Sequence, residues 1–128
     1  MFLCSINPPY DFDPVANLPF EELDKPNDMP ENASRRRYAF YDECARQGVG
    51  ITVMKAYGGG ALLDATSLLG RPMTVQQCIQ YALDRPSVLS VVVGINSLEQ
   101  LQHAFAFYNA SDAEKDYSFI EGLRPVAM

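Results

Sequence analysis

Two glycine-bearing stretches hold the residues best suited to chemistry in this 128-residue chain: Met54-Lys55-Ala56-Tyr57-Gly58-Gly59-Gly60 and Gly94-Ile95-Asn96-Ser97. Each follows a run of β-branched residues, which places it at the C-terminal end of an expected strand. Glycines let backbone N–H groups approach an anion closely, and a helix opening after Ser97 adds the positive end of its dipole. Lys55 supplies a cation. The combination suits a phosphate-bearing ligand, set against the plainer possibility that the glycines only make a flexible turn and a tight bend. Neither G-x-G-x-x-G nor the Walker pattern occurs, so the usual nucleotide fingerprints are absent.

Acid–base groups are few. His103 is the single histidine and falls inside an expected helix, beside the apolar stripe, where it reads as a surface or packing residue. Cys4, Cys44 and Cys78 fall on one strand and two helices, where a small buried hydrophobe is the natural role. Tyr57 and Lys55 stand two apart, on one side of an extended strand, and form the one pair suggestive of proton transfer. No base is legible beside them. As a self-contained enzyme the chain is thin on chemistry.

The elements that must position these groups follow from periodicity. Phe2 to Ile6 reads as a short buried strand stopped by Asn7-Pro8-Pro9. A loop follows over 10–32, broken by Pro14, Pro19, Pro26 and Pro30. Ser34 caps a helix to about Gln47, with Gly48 at its end. Val49 to Met54 is a second buried strand. Thr74 caps a helix over Val75 to Asp84, ended by Arg85-Pro86. Val88 to Val93 is a third strand, read as covered on both faces. Ser97 caps a third helix, with Glu99 or Gln100 near the capping-box position and Leu101, Ala104, Phe105 and Tyr108 on its apolar side. Ser111 starts a last short helix. Strand starts lie about 40 residues apart; such alternation means a parallel sheet built from crossovers. A doubly wound sheet and part of a (β/α) barrel both fit.

Composition narrows the function classes. The chain is 48% hydrophobic and 20% charged, too apolar for a disordered segment and suited to one domain. The net charge of −6 sits in residues 1–34, where seven acids face only Lys25; residues 35–128 carry nine acids and nine bases. Without a long basic face, nucleic acid is excluded as a leading partner, and Arg35-Arg36-Arg37 reads as a solvated face. No apolar run approaches the roughly 20 residues of a membrane span. Three widely spaced cysteines, and a start without a basic n-region, point to a reduced, cytoplasmic setting.

Three blocks, taken together, resemble the aldo-keto reductase family over about residues 1–110. Gly48-Val49-Gly50-Ile51-Thr52-Val53-Met54-Lys55-Ala56-Tyr57-Gly58-Gly59-Gly60-Ala61-Leu62-Leu63 resembles the family's seventh barrel strand and following loop. Thr74-Val75-Gln76-Gln77-Cys78-Ile79-Gln80-Tyr81-Ala82-Leu83 resembles the next helix. Val91-Val92-Val93-Gly94 through Ser97-Leu98-Glu99-Gln100-Leu101 resembles the eighth strand and its cofactor-gripping helix. Ser5-Ile6-Asn7-Pro8 is similar to the end of the sixth strand.

The resemblance implies an α/β fold of three βα units with parallel strands, the C-terminal portion of a (β/α)8 TIM barrel, with residues 111–128 as a tail. It implies an oxidoreductase fragment for carbonyl reduction or alcohol oxidation with NADP or NAD. The catalytic tetrad of the family comes from the first four strands, which this chain lacks, so no catalytic residue is assigned and no turnover is expected of the chain alone. The implied cofactor-binding residues are Met54, packing on the nicotinamide, Lys55, Gly58, Gly59 and Gly60 around the pyrophosphate, and Gly94, Asn96, Ser97 and Gln100 near the adenosine-side phosphate. Gly94 and Gln100 stand where the family carries bases, and a 2′-phosphate favours a positive partner, which leaves NADPH and NADH both open. The expected partners are the nicotinamide cofactor, a small carbonyl substrate in the full-length form, and a further copy through open barrel edges. The alternative is a non-catalytic anion-binding or association module.

Overall fold

A computed structural model describes residues 1–11, 34–64, 67 and 69–120. The acidic, proline-rich loop expected over 10–32 lies outside the described residues from position 12 onward. The architecture is mixed α/β, with a three-stranded parallel sheet in the order β1-β2-β3. These strands are β1 (Phe2–Ser5), β2 (Ile51–Met54) and β3 (Val88–Val91). Among the described residues the helices are α1 (Pro8–Asp11), α2 (Arg35–Gln47), α3 (Val75–Leu83), α4 (Leu98–Phe105) and α5 (Asp112–Lys115). Short 3₁₀ turns stand at Ala61–Leu63, Ala106–Asn109 and Ser118–Ile120.

Local chemistry sets the helix ends. The Ser34 side chain accepts from the Arg37 N–H, and Gly48 closes α2 with a left-handed φ of 69° that suits glycine. Thr74 and Gln77 form a reciprocal capping box at α3. At α4, Ser97 Oγ accepts from the Gln100 N–H at 3.1 Å. The returning bond is displaced by one residue, because Gln100 Oε1 accepts from the Asn96 N–H at 2.6 Å.

Among the described residues, helices cover the sheet on one face. Alternation along β2 sends Ile51 and Val53 into a core shared with Tyr41 and Cys44 of α2 and with Cys78, Tyr81 and Ala82 of α3. Thr52 and Met54 take the opposite face. There Thr52 Oγ1 lies 3.1 Å from Ser90 Oγ, in an exposed contact. The registers Leu3↔Thr52 and Ser5↔Met54 extend this face into β1. Leu3 is 63% exposed, Leu89 66% and Val92 58%. The outer strands are therefore not the covered strands that their β-branched and apolar runs predict. Composition reports what a strand is able to bury, whereas coverage depends on which elements pack on it.

Leu89 sits at an irregularity in the β2–β3 pairing, where Ile51 faces Val88 but Thr52 faces Ser90. Its side chain occupies the space beside Gly50, where a Cβ would meet Leu89 Cδ1 at 2.3 Å. Among the described residues both β1 and β3 are edge strands. Residues 112–120, assigned to a tail by the sequence, pack on α3. Tyr81 and Tyr117 meet edge to face at 5.2 Å, Ile120 is buried, and Gln77 Nε2 donates to Asp116 O at 2.8 Å. No helix among the described residues is long and apolar enough to cross a membrane.

The cysteines divide by burial. Cys44 and Cys78 are buried and Cys4 is half-buried, while burial pushes the Cys78 thiol up to about 12. The thiolate is the reactive form, so Cys78 is inert near neutrality. Under native conditions iodoacetamide is expected to label Cys4 and to spare Cys44 and Cys78, with all three labelled in denaturant. Peptide mass spectrometry reads the outcome.

Candidate functional site

The chain turns at the C-terminal ends of β2 and β3 enclose a cavity of about 420 Å³. Small-molecule sites commonly occupy about 300–1,000 Å³. Lys55, Gly59 and Gly60 form one wall; Gly94, Asn96 and Gln100 form the other. Six of the nine sequence-assigned residues thus meet at one cavity. Met54 ends β2 on the uncovered sheet face. Gly58 lies inside the turn, where an added Cβ would stand 3.1 Å from Leu62 Cγ. Ser97 acts as the cap of α4. Tyr57, Val75, Val92 and His103 also line the cavity, without having been singled out as ligand contacts.

The turn after β2 is wound tightly. Lys55 O accepts from the Gly58 N–H at 2.9 Å, and Tyr57 O from the N–H groups of Gly60 and Leu62, each at 3.1 Å. Gly58, Gly59 and Gly60 all have positive φ, and so does Lys55, at 57°. A non-glycine residue in this region is strained and needs support from its surroundings. Lys55 therefore stands outside the extended strand, and the strand alternation that would align it with Tyr57 does not apply. Turn closure engages the N–H groups of Gly58 and Gly60. Among the described residues that of Gly59 makes no hydrogen bond.

On the opposite wall, Gln100 Oε1 is committed to the Asn96 N–H, which leaves its amide NH2, a donor, as the end available to a ligand. Among the described residues the lining carries Lys55 and His103 and no carboxylate. His103 Nε2 lies 3.9 Å from Glu99 Oε1, in an exposed i,i+4 pair that contributes little. Burial raises the Tyr57 hydroxyl to about 12, so it stays protonated at neutral pH and is a donor rather than a base. The cavity is therefore a set of donors with one fixed cation, suited to holding an anion. Among the described residues no group of three His, Cys, Asp or Glu side chains is placed to hold a metal ion.

A second set of groups, invisible in the sequence pattern, supports this site from below. Asp11, only 1% exposed, accepts from Tyr41 Oη and Tyr81 Oη, each at 2.6 Å, and from Arg37 Nε at 3.0 Å. Arg37 also donates from Nη2 to Ser5 O at 2.6 Å. Arg37, the third member of the triplet read as a solvated face, is turned inward to this carboxylate. At the other end of α3, Arg85 donates to Tyr81 O at 3.1 Å and Tyr117 Oη at 3.0 Å, and also to the Tyr38 hydroxyl.

No protein-family model, curated protein or solved structure matches the chain.

Proposed function

We propose that this chain is the C-terminal, cofactor-holding arc of an aldo-keto reductase barrel, an NAD(P)H-dependent oxidoreductase for carbonyls in its full-length form. The observation that carries this reading is the convergence of Lys55, Gly59, Gly60, Gly94, Asn96 and Gln100 on one cavity at the C-terminal strand ends, where (β/α) barrels bind their ligands. The strand order is compatible with it. β1, β2 and β3 lie side by side in chain order, with α2 and α3 in one core on one face, an arrangement that an arc of a barrel shares with one half of a doubly wound sheet. The uncovered face then corresponds to the barrel interior.

On this reading Lys55 and the Gly59 N–H meet the pyrophosphate, and the Gln100 amide and Asn96 meet the adenosine side. The donor set fits those groups; when bound, the nicotinamide supplies the hydride. Among the described residues Lys55 is the lysine that lines the site, and its ammonium serves NADPH and NADH alike. The chain alone lacks the proton-donating residues of the family. NADPH is expected to raise the melting temperature without being consumed in the presence of a broad aldehyde panel. Lys55→Ala and Gln100→Ala should each weaken binding by about tenfold, the worth of one charged or well-placed hydrogen bond. Sustained cofactor oxidation by the isolated chain would overturn the assignment of a non-catalytic arc. Absence of any NADPH or NADH binding would overturn the cofactor assignment.

The second reading, an association module, rests on a different observation: the exposed Leu3, Leu89 and Val92 beside two edge strands. Unpaired edges recruit strands. It predicts a concentration-dependent oligomer by sedimentation, and a monomer at all concentrations would count against it.

A further inference from the structure

Lys55 carries a backbone conformation that L side chains avoid, yet it begins the turn that walls the cavity. Its carbonyl is held by a side chain 48 positions away in the chain. Asn7 is 2% exposed, and its Nδ2 donates to Lys55 O at 3.0 Å. The same carbonyl accepts from the Gly58 N–H, so one oxygen anchors both the turn and the strand end. Asn7 is itself fixed: the Tyr10 N–H is shared between its Oδ1 and its carbonyl, each at 3.1 Å, and the carbonyl also accepts from the Asp11 N–H at 3.2 Å. Asp11 is tied in turn to α2 through Tyr41 and Arg37, and to α3 through Tyr81.

We infer that Asn7 is the positioning residue of the ligand-facing turn. It holds the Lys55 carbonyl so that Lys55 stays left-handed and Gly58–Gly60 keep their N–H groups in place. This rests on the proposed ligand site for its functional meaning, though not for its geometry. An amide suits both contacts: Nδ2 gives the Lys55 carbonyl a donor, while Oδ1 shares the Tyr10 N–H with the Asn7 carbonyl, and asparagine offers both in one short side chain. Asn7→Asp keeps the shape and reverses this match: at neutral pH a carboxylate would face the carbonyl. Once protonated, the introduced carboxyl regains a donor.

Amide exchange by NMR tests the geometry without any ligand. In Asn7→Asp at neutral pH, the Gly58 and Gly60 amides are expected to exchange at least about tenfold faster than in the native chain, with the α3 amides of Cys78 and Tyr81 unchanged. The difference from the native chain should shrink as pH falls and the introduced carboxyl takes up its proton. A Lys55→Gly background, in which glycine adopts the left-handed region unaided, should lose most of the effect. Unchanged exchange at Gly58, or equal acceleration throughout the chain, overturns the inference and leaves Asn7 as a general support of the fold. Should Asn7→Asp alone not fold, the comparison is made in the Lys55→Gly background. There, folding restored by glycine supports the inference and failure to fold overturns it. A parallel titration with NADPH is expected to show about tenfold weaker binding in Asn7→Asp. Native chain that binds no NADPH refutes the cofactor assignment while the exchange result still decides the role of Asn7.

Discussion

Asp11→Ala is expected to destabilise the fold by about 3 kcal/mol, the scale observed when one partner of a buried charged cluster is removed. The carboxylate accepts three hydrogen bonds, from Tyr41, Tyr81 and Arg37, and the alanine variant leaves all three donors without an acceptor inside the protein. The two tyrosine hydroxyls bear most of the loss, since both rings are buried, whereas the Arg37 side chain is 27% exposed and recovers some hydration. Domains of this size have only about 5–15 kcal/mol of stability in total. With urea slopes of about 1–3 kcal/mol per molar, the unfolding midpoint should fall by about 1–3 M. Asp11→Asn, which keeps the shape and one acceptor, should lose roughly half as much. A midpoint equal to that of the native chain would show that the cluster contributes nothing net.

Alkali should unfold the protein steeply. Burial is the leading cause that raises the Tyr41 and Tyr81 hydroxyls and the Cys78 thiol above their ordinary values. Next to burial, the Asp11 carboxylate pushes both tyrosines further in the same direction. In the unfolded chain these groups titrate near their ordinary values, about 10 for tyrosine and about 8.5 for the thiol. Below those values both states keep the protons and the stabilisation is fully present. Above them the unfolded chain releases protons that the folded chain retains, so stability falls as pH climbs toward the raised folded values. Each such group contributes about 1.4 kcal/mol per pH unit, so the three together reach about 4 kcal/mol per unit above pH 10. Unfolding by about pH 11–12 should therefore coincide with a cooperative rise in tyrosinate absorbance, against loss of circular dichroism. Ionisation of all the tyrosines near pH 10 with secondary structure intact would refute this.

What was legible in the sequence was local. Ser34, Thr74, Ser97 and Ser111 each announce a helix because the cap and its N–H partner lie within three residues. Gly48 announces an end because a left-handed residue is needed there. The glycine stretches could be placed at strand ends because β-branched runs stop where they begin. The supporting cluster could not be read in the same way. Arg37 is one of three consecutive arginines, and nothing in its neighbours marks it as turning inward. Asp11 lies at the edge of an acidic segment and reads as part of it, although its partners stand 26, 30 and 70 positions away. Coverage of the strands was equally hidden, since Val92 and Leu89 have the composition of buried residues and are exposed. His103 and Tyr57 reached the cavity wall through the placement of α4 and the winding of the turn after β2, which no periodicity encodes.

The tie from Asp11 to Tyr81 also sets a schedule for the chain as it is made. Synthesis proceeds from the N-terminus, so β1, Asn7 and Asp11 leave the ribosome long before the hydroxyl that completes their cluster. Lys55 and the glycines emerge in between. The Lys55 and glycine wall of the cavity thus acquires its final support only after α3 has been translated and docked, and a nascent chain that ends before Tyr81 carries every residue of that one wall without the means to hold it in shape.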